Sequence, residues 1–212
     1  MKERSVQVNG RGIVSVQPDM AHLHLGVKTR DKEVASGQEQ NRTVMLKVME
    51  RLKEFHIDDA DIKTAAYHVG PVYSYRDNQE LFEGYEVEHS IRLTLYDMEA
   101  LPLVLDALFQ EGLNLSGGID FQVRDREKYY RQALTAALVD ARETAELICA
   151  SEGLTLAKPL HIYEGEGAPS FFRESAPAAY AVARDAGFGA SPIAAGSMDI
   201  EAGVSVVYGQ KE

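Results

Sequence analysis

The chain has 212 residues, 45% apolar and 26% charged, with 33 acidic against 22 basic side chains and a formal net charge of -11. That composition is ordinary for a folded domain and excludes disorder as the default state. The negative balance argues against a nucleic-acid partner, because phosphate-backbone affinity is built from clustered Lys and Arg. One cysteine, Cys149, leaves no intramolecular disulfide and no cysteine-rich metal cluster.

The amino-terminal stretch MKERSVQVNG lacks the apolar run of about 7–15 residues that an export signal needs, and nothing approaches the ~18 apolar residues of a membrane span. The sequence as given is therefore expected in the cytoplasm, with an exported or periplasmic location as the alternative if a signal peptide had been removed.

From Ser5 to Arg30 apolar residues alternate at Val6 and Val8, Val14 and Val16, then Ala21, Leu23, Leu25 and Val27, the pattern of strands. Pro18-Asp19 marks the break between them. Asp31 stands as a helix cap, and Val34, Gln38, Asn41, Met45, Val48, Leu52 and Phe55 recur at steps of four and three. This predicts one amphipathic helix over about 32–55, with polar Gln38 and Asn41 assigned to a half-exposed first turn.

The segments DIKTAAYHVGPVYSY and YEVEHSIRLTLY then read as two long strands joined by the polar loop RDNQELFEG. In the second, Tyr85, Val87, His89, Ile91, Leu93 and Leu95 share one face. Helices are expected over 98–110 and about 126–151, with a strand through Ile119, Phe121 and Val123 between them. The later helix is expected to bury Tyr130, Leu134, Ala137, Leu138, Ala141, Ala145 and Ile148, its alanines allowing close approach to a sheet or helix. Cys149 on that helix reads as a small buried hydrophobe.

Residues 164–197 contain 22 Gly, Ala, Pro or Ser out of 34 yet carry Phe171, Phe172, Tyr180, Phe188 and Ile193. That mixture suggests a partly ordered arm packing on another subunit. A last strand, MDIEAGVSVVYG, follows. The order of elements gives an α+β class, with helices laid against a mostly antiparallel sheet.

Tests for chemistry return little. Gly10-Arg11-Gly12 has no third glycine, no Gly-Lys-Ser/Thr and no helix after it, so it is read as a turn or bulge between strand segments and not as a phosphate loop. His22 and His24, two apart on a strand, project from one face and form the best metal-ligand pair, although solvated or cross-strand hydrogen-bonded histidines are the commoner state. No nucleophile elbow or zinc-protease motif appears. Asp58, Asp59 and Asp61 suit a solvated turn. Tyr67, Tyr73 and Tyr75 share a strand face, for which packing against a helix is the expected use and an aromatic contact surface the alternative.

Taken together, VNGRGIVSVQPDMAHLHLGV, DIKTAAYHVGPVY, GYEVEHSIRLTLYD, GLNLSGGIDFQVRD with its Ala-rich helix, and MDIEAGVSVVYG resemble the SIMPL-domain family, over nearly the whole chain from about Ser5 to Gly209. The family is named for a signalling molecule associating with a pelle-like kinase, and its bacterial members include periplasmic immunogenic proteins. The resemblance implies an α+β fold, ring-shaped or channel-like homo-oligomers that are often exported, a link to oxidative-stress defence, and no catalytic residues to carry over. The expectation is a single SIMPL-like domain over 1–212, with sub-parts at about 1–97 and 98–212. Its function is expected to be non-catalytic self-assembly, with no cofactor, no nucleic-acid partner and a homo-oligomeric state. The alternative is a small-ligand or metal-binding protein using the His22/His24 face.

Overall fold

The alternation read between Ser5 and Val16 forms one uninterrupted strand, and it sets the first of two antiparallel sheets. The structure is a computed structural model that describes residues 5–76, 79–165 and 193–211. Among the described residues are seven strands and three helices: β1 (Ser5–Val16), β2 (Met20–Asp31), α1 (Val34–Glu54), β3 (Ile62–Arg76), β4 (Gln79–Leu95), α2 (Leu101–Gln110), β5 (Leu115–Gln122), α3 (Arg126–Ser151), β6 (Thr155–Glu164) and β7 (Met198–Lys211). The expected α+β class holds. The strands form two sheets, of order β1-β7-β6 and β3-β4-β2-β5. Contacts divide the chain into two compact units, each built on one sheet.

The first unit joins β1, β6 and β7 to α3. β1 pairs with β7 in continuous register from Ser5↔Gly209 to Val16↔Met198. No turn or bulge interrupts it at Gly10–Gly12, which corrects the sequence reading. The glycines serve packing instead: a Cβ at Gly10 would lie 2.0 Å from the Ala137 carbonyl oxygen, and one at Gly12 would lie 1.9 Å from that of Ala133. A side chain at either place would overlap helix backbone, so only glycine lets α3 lie this close to the strand.

The helix matches from its own side. Ala133, Ala137, Ala141, Ala145 and Cys149, each four apart, are its buried residues. Cys149 is the small buried hydrophobe the sequence suggested. Leu138 and Ile148, expected inside, lie on the exposed side together with Val139 and Leu147. The sheet admits a methyl group where the periodicity placed a leucine. Between the two glycines, the Arg11 amide donates to Asp140 Oδ2 of α3 at 2.8 Å, and the Arg11 side chain pairs with Glu201 at 2.6 Å.

β6 is a strand the apolar alternation did not reveal. It carries Pro159 and lies at the sheet's other edge, where a missing amide donor is tolerated. Phe171, Phe172, Tyr180 and Phe188 of the expected arm lie outside the described residues. Ile193 is described and packs against the hydrophobic core of the second unit.

The second unit holds β2 to β5 with α1 and α2. Ala21, Leu23, Leu25 and Val27 of β2 and Ile91, Leu93 and Leu95 of β4 bury one face of the sheet under Met45, Val48 and Leu52 of α1 and Leu101, Val104, Leu105 and Leu108 of α2. The opposite face is polar, with Lys28 bridging Glu86 at 3.0 Å and Glu88 at 3.2 Å, and Arg30 pairing with Glu86 at 2.7 Å. One face packed and one solvated is the expected economy of an antiparallel sheet.

Helix α1 begins at Val34, later than expected, and Glu33 rather than Asp31 stands at its N-cap. Asp31 ends β2 and from there accepts hydrogen bonds from the Glu33 amide, Ser36 Oγ and Gln40 Nε2. Gln38 is exposed as anticipated. Asn41 is 1% exposed, correcting its assignment to an exposed turn. Its Nδ2 donates to the carbonyls of Val27 at 2.8 Å and Val87 at 3.1 Å, which ties the helix to two neighbouring strands.

Candidate functional site

β2 pairs with β4 only from Asp31↔Tyr85 to Ala21↔Leu95, whereas β3 stays paired to β4 out to Arg76↔Gln79. Among the described residues, the outer part of the hairpin therefore runs on as a two-stranded ribbon with no third strand beside it. Most of the expected loop RDNQELFEG is strand within this ribbon, because its residues continue the β3–β4 ladder.

That ribbon carries apolar side chains in the open. Tyr73, Tyr75, Leu81 and Phe82 are exposed, Tyr75 to 74%. The rings are ordered among themselves: Phe82 meets Tyr73 edge to face at 5.7 Å and Tyr85 at 5.2 Å. The register skips Glu83, since Val72 faces Gly84 and Tyr73 faces Phe82, and this bulge brings Phe82 opposite Tyr73. Packing of Tyr73 and Tyr75 against a helix, the expected use, is corrected: among the described residues no helix covers them, both are exposed, and the aromatic-surface alternative describes them better. Tyr67 differs, for its hydroxyl accepts from Gln38 Nε2 of α1 at 3.3 Å. Phe82 and Leu81 escaped sequence reasoning because they are adjacent apolar residues in a polar stretch, with no period-two pattern to mark a strand.

His22 and His24 do share a face, the polar one, between Ala21, Leu23 and Leu25, which are buried. His22 lies opposite Thr94 and Asp120, and His24 opposite Arg92 and Gly118. His22 Nδ1 hydrogen-bonds across the strands with Thr94 Oγ1 at 3.2 Å. His89 belongs to the other face. Among the described residues no group of three His, Cys, Asp or Glu side chains is placed to hold a metal ion. Asp59–Asp61 forms a single 3-10 turn, and Asp61 accepts from the Tyr96 hydroxyl at 3.2 Å.

Comparison with known proteins gives this architecture a family. The chain is 26% identical over 211 residues to the 26 kDa periplasmic immunogenic protein of Brucella melitensis, covering 96% of this chain and 83% of that one. It is 29% identical over 152 residues to YggE of Edwardsiella ictaluri, covering 71% of this chain and 64% of that one. With YggE of Escherichia coli strain K12 it shares 26% identity over 141 residues, 66% of this chain and 57% of that one. The Brucella relative is periplasmic by name, which agrees with the export alternative and lends nothing to a cytoplasmic location. No helix among the described residues is long and apolar enough to cross a membrane. The family model described as SIMPL, protein of unknown function (DUF541), matches residues 6–208, and the chain belongs to that family.

Proposed function

We propose that this protein is a non-catalytic SIMPL domain that works by self-assembly, with the outer β3–β4 ribbon seated on another copy of the chain. The observation that carries this reading is the ordered, exposed set of Tyr73, Tyr75, Leu81 and Phe82 on a ribbon with no third strand among the described residues. A two-stranded hairpin is marginally stable in water by itself, and its apolar side chains gain from being covered. A second copy is the partner always present at equal concentration, and such pairing closes naturally into symmetric assemblies. A ring or channel-like form, a role in stress defence and a periplasmic setting are what the family resemblance and the Brucella relative's name suggest for it.

Sedimentation velocity on the parent and on a Tyr75→Glu/Phe82→Glu double variant tests the reading. Both positions are exposed, so the charges leave the fold intact, and the variant is expected to sediment as a smaller species than the parent. Identical sedimentation of parent and variant as the same oligomer would remove the ribbon from the interface.

A further inference from the structure

Helix α1 lies over β2 and β4 and stops short of the edge strand β3, leaving a cleft of about 700 Å³ between helix and strand. That volume falls within the usual range of about 300–1,000 Å³ for small-molecule sites. Its apolar lining comes from Met45, Leu46 and Met49 of α1, Ile62 of β3 and Ile91 of β4. A bulge shapes the wall: Thr64 pairs with Ile91 and Ala66 with Ser90, so Ala65 is the extra residue. In regular alternation Tyr67, an odd number of residues after Ile62, would face away from Ile62 and Thr64; the bulge absorbs Ala65, and all three line the cleft.

Seven of the thirteen lining residues carry polar side chains, and four of these are paired with one another, Gln38 with Tyr67 and Arg42 with Glu39. Asn41 lines the cleft, and its Nδ2 is committed to the two strand carbonyls, but its Oδ1 is buried with no hydrogen-bond partner. Leaving a buried amide oxygen unpaired is unfavourable, so a donor that reached it would be bound with gain. The cleft's charges cancel, because Arg42 forks onto Glu39 at 2.9 and 2.7 Å. His89 meets the Tyr67 ring edge to face at 5.4 Å, and burial holds its pKa below the ordinary value, favouring the neutral ring.

We infer that this cleft is a binding site for a small, uncharged, mostly apolar molecule carrying one N–H or O–H donor, which Asn41 Oδ1 accepts. The inference does not rest on the self-assembly reading. The lining is apolar where a body would lie, the fixed charges are paired with each other, and the open hydrogen-bonding capacity at the inner wall is an acceptor.

The probe is N-phenyl-1-naphthylamine, an apolar fluorophore with a single N–H donor, titrated into the full chain at several protein concentrations. Its N-methyl analogue, which lacks the donor, serves as competitor. The expected result is saturable one-to-one binding by the parent, with the donor-bearing probe preferred at least ten-fold over the analogue. Leu46→Glu and Ala35→Trp, both at exposed lining positions, should each weaken binding at least ten-fold while keeping the parent's circular dichroism and melting temperature. Asn41→Leu should remove the preference for the donor; should that variant fail to fold, the two exposed-position variants still decide. Absence of saturable binding, or unchanged binding in both exposed-position variants, overturns the inference. So does probe binding that emerges only on dilution of an assembly, which would make a second copy the occupant.

Discussion

Gly12 stands so close to Ala133 that a Cβ on the glycine would lie 1.9 Å from the alanine's carbonyl oxygen. The obstacle is helix backbone, which has no rotamer to move aside. Gly12→Ala is therefore expected to lower stability by about 2–4 kcal/mol, in the range of overpacking and backbone strain. Gly10→Ala, facing Ala137 at 2.0 Å, should behave alike. Urea denaturation monitored by circular dichroism measures both, and a loss under about 0.5 kcal/mol, an ordinary surface effect, would contradict the close contact.

Asn41 ties α1 to Val27 and Val87 through one amide nitrogen. Asn41→Ala removes both hydrogen bonds and opens a small cavity beside the strands, for an expected cost of about 2–3 kcal/mol. Gln38→Ala, three residues earlier on the exposed side, is expected to cost less than about 0.5 kcal/mol. Chemical denaturation of the pair would show the contrast, and equal costs would refute it.

His89 gives stability a pH dependence whose sign can be stated. Burial depresses its pKa in the folded chain, so the unfolded chain takes up the proton first as pH falls. Stability from this group is unaffected above the unfolded value, about 6.5, and declines as pH drops below it toward the folded value. Tyr67 of β3 faces the ring, and Glu39 and Arg42 of α1 line the same cleft as a pair. The difference in urea midpoint between pH 7.5 and pH 5.5 should shrink in His89→Gln. An undiminished difference would assign the acid sensitivity to other groups, such as Glu86, whose carboxylate is held below its usual range by hydrogen bonds from Lys28 and Arg30.

Cys149, on the buried side of α3, is 1% exposed. A thiol-specific reagent is expected to modify it slowly in the native chain and rapidly in denaturant, because access requires local opening. Equal rates in the two conditions would place the thiol at the surface.

The strands and helices were legible where one periodicity ruled a whole element. β2, the part of β4 from Tyr85 onward and α3 were readable this way, and α3 starts and stops where its sequence places it, at Arg126 and Ser151. What stayed hidden depended on partners distant in the chain. Gly10 and Gly12 read as a turn because the helix that requires them comes more than 120 residues later. The buried side of α3 was misjudged at Leu138 and Ile148 for the same reason: the closeness of the sheet, and not hydrophobicity, selects what faces inward. Asn41 looked too polar for the core because its partners are carbonyls of other strands. At the ribbon, Phe82 and Leu81 were masked by charged neighbours, and the bulge that seats Phe82 against Tyr73 is a matter of register, which only pairing reveals.

Self-assembly is the central claim, and size-exclusion chromatography with multi-angle light scattering on the full chain over a hundred-fold range of concentration tests it most directly. The expected result is a mass several times the 23.4 kDa of one chain, falling toward smaller species only at the lowest concentrations. A mass of 23.4 kDa at every concentration would contradict it.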